Sequence, residues 1–263
     1  MVVARGGFET ILDDFYLCRC IDWVDVQTAS GLGRAPLFPP LHRGLDDVLL
    51  PPTALQQATL PPLAPNLCPT VQPIFLLLRQ AIVAQESSAV SSNSNRILLH
   101  LADSSILHHL YDDGRSRRDY QHHQERNCNR TDTILVQAAH VFLHGALRLV
   151  PPTSRLLRTL VGRLQDTLIK EDALLIDIGY WDYDISPLAW AAFVGLAATS
   201  ESIEGNRHSW FSNLFGAAIS RFRASETPWP LADDDLVARA EIQSVLETFL
   251  WWDDFYLPVL HAG

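Results

Sequence analysis

The chain has 263 residues, of which 48% are apolar and 19% are charged, and its formal charge is −10. This apolar fraction is enough for a packed core and too high for a disordered chain. Its 30 acidic residues outnumber its 20 basic residues, and only one basic residue is a lysine. Surfaces that bind nucleic acid concentrate lysine and arginine, so the composition argues against direct nucleic-acid binding.

The cysteine spacing and the lengths of the apolar runs bear on the cellular compartment of the protein. The four cysteines lack the spacing of a zinc site, and Cys18 and Cys20 would point about 200° apart on a helix. We therefore expect free thiols in a reducing compartment. The first residues contain no secretory signal, and the longest clean apolar run, Leu188 to Thr199, is too short to span a bilayer. These features predict an intracellular protein, cytoplasmic or nuclear, with no membrane partner.

In the first half of the chain, apolar residues at helical intervals predict helices over 8–29, 71–85 and 96–111. Between the first two, residues 34–73 contain repeated prolines, which exclude a regular helix or an inner strand. This stretch is too apolar for a free linker, so we predict an ordered connection that lies over the helices. Residues 112–130 are highly polar and without apolar periodicity, and they predict a mobile loop.

The second half predicts five more helices, over 131–150, 155–168, 187–198, 209–223 and 234–252. Pro151 and Pro152 end the first of these, and Pro187 suits the first turn of the third. No alternation of period two is long enough for a sheet, and no domain boundary is evident. The sequence therefore predicts an all-α fold, a single-domain irregular bundle of about nine helices over residues 1–263.

His140 and His144 lie one helical turn apart, a spacing that can hold a metal ion. The residues between them are apolar and include no glutamate, so a packed or hydrogen-bonded pair is favoured and no metal is predicted. The chain also lacks GxGxxG, P-loop, GxSxG and HExxH motifs. A nucleotide cofactor or a hydrolytic triad is therefore unsupported, and we expect no cofactor.

Two aromatic stretches are candidates for a binding pocket. Trp181 and Tyr183 alternate with Asp182 and Asp184, and the two aromatic residues fit core packing and a pocket equally well. Asp184 fits best as the cap of the following helix. The run 251–256, WWDDFY, is expected to end the last helix. It either lines a cavity or forms a core seam with exposed aspartates, and the seam is the favoured single explanation.

Four blocks of the chain, in order between Cys18 and Phe255, resemble the fungal-specific transcription-factor regulatory domain, the middle homology region of binuclear zinc-cluster regulators. These blocks are CRCIDWVDVQTASGLGRAPLFPP, AAHVFLHGALRLVPPTSRLLRTLVGRL, SPLAWAAFVGLAA with GNRHSWFSNL, and VLETFLWWDDF. The resemblance implies an all-helical region that senses small molecules or masks activation. The six-cysteine DNA-binding cluster of that family is absent, so the chain looks like the later part of the regulatory domain standing alone. The family has no catalytic motif to transfer.

Two functions fit these features. The first is a repurposed regulatory domain that acts as a cofactor-independent cyclase, a pericyclase of the Diels–Alder type, on a hydrophobic fungal secondary metabolite such as a terpenoid or polyketide. Such a reaction gains chiefly from preorganisation and a few hydrogen bonds. The expected catalytic residues are His208, Asp182 and Tyr180, and the expected substrate-binding residues are Trp181, Tyr183, Trp210, Trp251 and Trp252. The second is a non-enzymatic ligand sensor or accessory transcription regulator that lacks its DNA-binding module. A homodimer or a protein partner is compatible with both.

Overall fold

The computed structural model describes residues 15–38, 61–65, 67–86, 92–111, 123–175, 185–199, 205–224 and 235–262. Over these residues the chain forms α-helices, one π-helical turn and no strand, which confirms the predicted all-α fold. The helices are α1 (Phe15–Leu32), α2 (Gln72–Glu86), α3 (Ser92–Tyr111), α4 (His123–Phe142), α5 (Arg155–Leu175), α6 (Ser186–Thr199), α7 (Gly205–Ala224), α8 (Asp235–Glu247) and α9 (Asp253–Ala262). None of these described helices is long and apolar enough to cross a membrane.

The end of α1 and the start of α4 differ from the predicted bounds. α1 continues to Leu32 and ends at Gly33, whose φ of 68° is the left-handed conformation that glycine favours at a helix terminus. α4 begins at His123, whereas the apolar pattern placed its start at Thr131. The polar stretch predicted as a loop is therefore helical from His123 onward, since glutamine, glutamate and arginine are good helix formers. Residues 8–14, 39–60 and 112–122 lie outside the described residues.

The end of α4 is a π-helical turn, where a continuous α-helix to Val150 was predicted. In this turn (Leu143–Leu147) the N–H of Arg148 donates to the carbonyl oxygen of Leu143, five residues back, at 2.9 Å. Leu149 follows with a φ of 52°, which a leucine rarely adopts. The π turn and Leu149 together redirect the chain into the proline pair.

The predicted last helix, 234–252, is wrong as one element, because α8 ends at Glu247 and α9 begins at Asp253. The buried guanidinium of Arg79 in α2 donates to the carbonyl oxygens of Glu247, Thr248 and Phe249, and it also reaches that of Pro61. These carbonyls bond to Arg79 instead of continuing a helix. The run 251–256 thus spans the turn and the start of α9 and does not end a helix.

α6 is the centre of the fold. Every residue of this helix except Ser186 is buried, as expected for a helix that is apolar on all sides. It contacts α4, α5, α7, α8 and α9, while α3 joins α1 and α2 to α4. Trp190 of α6 stacks on Phe249 and donates its indole N–H to the carbonyl oxygen of Leu250 at 3.1 Å. α1 lies at the periphery, where Val26 and Ala29 form a small apolar cluster with Leu107, separate from the main core.

Candidate functional site

Five side chains from three stretches of the chain meet in a buried polar cluster. They are Ser30 of α1, Asp103 of α3, His140 of α4, His144 of the π turn, and Arg148, which directly follows that turn. The side chains of Asp103, His140 and His144 are 0–1% exposed, and that of Arg148 is 11% exposed. Because His140 and His144 are four residues apart, both imidazoles point to the same side of the helix, towards Asp103.

The two carboxylate oxygens of Asp103 have different partners. Oδ1 accepts a hydrogen bond from the hydroxyl of Ser30 at 3.1 Å and lies 3.1 Å from Nε2 of His140. Oδ2 pairs with Nη1 of Arg148 at 2.7 Å and lies 3.5 Å from Nε2 of His144. The amide of Gln27 also reaches Oδ2, at 3.4 Å. The carboxylate is therefore surrounded by donors from α1, α4 and the π turn.

These contacts determine the charges of the cluster. Burial alone raises the pKa of Asp103, but the positive charge of Arg148 and the hydrogen bonds from His140 and His144 outweigh burial and hold the pKa well below 3.8. Burial lowers the pKa of His144 from 6.5 to about 4, although Asp103 opposes this shift. At neutral pH, Asp103 is therefore an anion, His144 is neutral, and Arg148 supplies the matching positive charge.

Serine, histidine and aspartate in contact raise the question of a catalytic triad. In a triad the serine and the carboxylate bond to opposite nitrogens of the imidazole ring. Here Ser30 Oγ lies 2.7 Å from Nε2 of His140, and Asp103 Oδ1 faces the same nitrogen. Ser30 is also fully buried. The geometry does not fit nucleophilic catalysis.

The same cluster has ligand types that suit a metal ion. One donor atom from each of Asp103, His140 and His144 lies within 4.8 Å of the others. However, Arg148 already neutralises Asp103, so a divalent cation would leave two uncompensated positive charges in a buried site. This charge balance favours His140 and His144 as hydrogen-bonding partners of Asp103 over the same residues as metal ligands.

A second feature is an open cleft of about 240 Å³ beside the π turn. Its walls come from the π turn, the segment after it, α5, α6, and the start of α9. Apart from the carboxylate of Asp254 and the indole of Trp252, the side chains on these walls are apolar. The cleft is lined by Gly145, Ala146, Leu149, Val150, Pro151, Pro152, Leu157, Ala197, Trp252, Asp254, Phe255 and Pro258. Such a mixture of apolar walls and few polar groups is typical of small-molecule sites.

Trp252 is the described candidate residue that lines the cleft. Its indole Nε1 is buried and has no hydrogen-bond acceptor among the described residues. A buried donor without an acceptor costs about 1–3 kcal/mol. In this conformation neighbouring atoms cover the nitrogen, so a rotation of the ring would be needed to present it to a ligand in the cleft.

The other described candidates lie elsewhere. Trp251 stacks on Phe193 and Tyr256, and Trp210 packs edge-to-face on Phe211. These two tryptophans contact the core and are not among the residues that line the cleft. His208 is half-buried on α7, where its Nδ1 lies 3.4 Å from the hydroxyl of Thr199.

The remaining candidates, Tyr180, Trp181, Asp182 and Tyr183, lie outside the described residues, and so does Asp184. His208 is the one catalytic candidate among the described residues, and it is not among the residues that line the cleft. The candidate site is therefore built around Trp252 and the wall of the π turn.

Sequence reasoning missed Asp103, Arg148 and Ser30. One signal was present, because Asp103 lies between Leu99 and Ile106 at helical spacing, on the apolar side of its helix. A carboxylate in that position requires buried partners. Nothing in the pattern indicates that these partners come from α1 and the π turn.

Resemblance to the fungal regulatory domain rests on the sequence blocks alone. Comparison of the chain with models of protein families, with curated proteins and with solved structures found no match. The cleft and the polar cluster are therefore the observations from which function is inferred.

Proposed function

We propose that the chain binds a hydrophobic small molecule in the cleft at Trp252. The observation that carries this proposal is a cleft with apolar walls, lined also by the ring of Trp252 and by Asp254. By proportion with benzene in an engineered cavity of about 150 Å³, the volume of 240 Å³ accommodates about ten carbon atoms. A terpenoid or polyketide would therefore place one ring or one chain end inside it.

One activity at this cleft is the cofactor-independent cyclisation expected from the sequence. Apolar walls restrict a flexible substrate to folded conformations, which lowers the entropic part of the barrier. The indole N–H of Trp252, once turned towards a substrate carbonyl, would stabilise negative charge that develops on its oxygen in the transition state. Such a reaction gives a product of the same mass as its substrate.

The other activity is ligand sensing in an accessory regulator. A specific observation favours it, because the π turn that lines the cleft also positions His144 and leads directly into Arg148 of the polar cluster. π-Helical turns within α-helices occur frequently at functional sites. A ligand in the cleft therefore touches the element that organises the buried charges.

Binding is tested first with a bicyclic ketone, 2-tetralone, and with tetralin, which has the same rings and no carbonyl. We expect both to shift the Trp252 indole signal in a ¹H–¹⁵N spectrum, and the ketone to shift it further downfield through a hydrogen bond. The Trp252→Phe variant assigns that signal, and Trp210→Phe is the matched control at a half-buried tryptophan outside the cleft. Unchanged Trp252 signals with both probes would contradict binding at the cleft.

The activity is tested with a metabolite extract from a host that lacks this gene, followed by mass spectrometry. Conversion of one metabolite into an isomer of equal mass, lost in Trp252→Phe and retained in Trp210→Phe, would support the cyclase. Retention of an unchanged metabolite with the same dependence on Trp252 would support the sensor. If neither occurs, the protein acts through another partner and the proposal fails.

A further inference from the structure

Residues 144–149 contribute both to the wall of the cleft and to the polar cluster. Gly145, Ala146 and Leu149 line the cleft, whereas His144 and Arg148 contact Asp103. The N–H of Val150 donates to the carbonyl oxygen of His144 at 2.9 Å, so the segment is closed by its own hydrogen bonds. Only one or two residues of this segment therefore separate the cleft wall from Arg148.

Arg148 cannot leave Asp103 without a large cost. The carboxylate is fully buried, and Arg148 is its cationic partner at 2.7 Å. Removal of one member of a buried ion pair is strongly destabilising, because it leaves an uncompensated charge. The arrangement of the cleft wall shown by the structure is thus the one that keeps the cluster neutral.

The same cluster holds the C-terminal half of α1. Ser30 and Gln27 of α1 donate to Asp103. The guanidinium of Arg148 lies 5.5 Å from the ring centre of Trp23, also on α1. The apolar contact at this end of α1 is small and separate from the main core. Two further polar contacts of α1 do not involve the π turn, because Asp22 pairs with His100 at 2.9 Å and Arg163 of α5 donates to the carbonyl oxygens of Ser30 and Gly31. Docking of α1 therefore depends in part on the polar cluster, whose geometry the π turn sets.

We propose that occupancy of the cleft strengthens the docking of α1, through the π turn and the Asp103–Arg148 pair. A ligand that fits the cleft binds the conformation in which Arg148 reaches Asp103, and it stabilises that conformation by mass action. By linkage, docked α1 raises the affinity of the cleft for its ligand by the same factor. This inference rests on the proposed ligand binding and assigns it a regulatory output, the docking state of the N-terminal helix.

Hydrogen exchange of the full chain, followed by mass spectrometry, tests the link with 2-tetralone as the probe. At a probe concentration ten times its dissociation constant, amides of α1 should exchange about tenfold more slowly. Peptides from Gly205–Ala224, which do not line the cleft, serve as the internal reference. The effect should disappear in Trp252→Phe and persist in Trp210→Phe.

The Ser30→Ala variant separates docking from binding. It removes the hydroxyl that donates a hydrogen bond to Asp103 and leaves every residue of the cleft in place. We expect faster exchange of α1 without probe and an indole shift of Trp252 that persists with probe. If 2-tetralone shifts the Trp252 signal but α1 exchange is unchanged, the link is wrong and the binding site stands. If the Trp252 signal does not shift, both proposals fail.

Discussion

Gly195 and Phe211 determine how closely α6 and α7 approach. A Cβ on Gly195 would overlap the ring of Phe211, which is fully buried. We expect Gly195→Ala to lower the free energy of unfolding by about 1–3 kcal/mol, because a packed ring must move. Urea denaturation measures this change.

The matched control is Gly216→Ala on α7. Gly216 is exposed, and a Cβ there meets no atom within 4 Å. Alanine in a helix is better than glycine by about 0.5–1 kcal/mol, so this variant should be more stable than the native chain. Equal effects of the two substitutions would show that the close approach at Gly195 is not required.

The buried His144 makes stability depend on pH. Its pKa falls from 6.5 to about 4 on folding, so between these values the unfolded chain binds more protons than the folded chain. Titration of His144 does not affect the free energy of unfolding above pH 6.5. As the pH falls from 6.5 to 4, it lowers that free energy by about 3 kcal/mol. The pKa of Asp103 is lowered on folding, so its ionised carboxylate stabilises the fold until the pH is lower still.

Denaturation curves between pH 7 and pH 4 measure this dependence. The His144→Gln variant should show a flatter curve over that range, because glutamine does not titrate. A curve as steep as that of the native chain would show that another group causes the pH dependence.

Charge balance in the polar cluster predicts its response to metal ions. Since Arg148 already neutralises Asp103, we expect Zn²⁺ to leave the melting temperature unchanged at concentrations that saturate ordinary zinc sites. Differential scanning calorimetry with and without a chelator checks this. A rise in melting temperature with Zn²⁺ that is lost in His140→Gln would instead establish a metal site.

At the scale of elements, Arg79 holds the turn between α8 and α9. Its guanidinium is buried and donates to four carbonyl oxygens, and burial lowers the pKa of Arg79 to about 10. Arg79→Met should lower the free energy of unfolding by about 2–4 kcal/mol, since several carbonyls lose their donor. Arg155→Met, at an exposed position of α5, should change it by less than about 0.5 kcal/mol. Similar losses in both variants would contradict this role.

At the scale of the whole molecule, stability is unevenly distributed. α6 is buried on all sides, whereas the apolar cluster of α1 is small and separate from the main core. We expect amides of Ser186–Thr199 to exchange only on global unfolding and those of α1 to exchange through a partial opening of lower free energy. Hydrogen exchange against urea concentration distinguishes the two, because only the global event depends steeply on urea. Identical urea dependence for both helices would show that α1 unfolds with the core.

Local pattern determined most of the helices. Apolar periodicity located the centres of α2, α3, α5, α6 and α7, and the absence of alternation excluded a sheet. The spacing of His140 and His144 likewise placed the two imidazoles on one face of a helix. These features depend on neighbours within one or two helical turns, and such neighbours are visible in the sequence.

Only the tertiary structure decided the breaks and the polar cluster. The last predicted helix is interrupted because Arg79, more than a hundred residues earlier, binds the carbonyls of the turn. Asp103 acquires its partners from two other parts of the chain, Ser30 from α1, and His140 and Arg148 from the stretch that contains the π turn. Such contacts form because a buried charge and buried carbonyls must find partners wherever the fold brings them, and no local periodicity records that requirement.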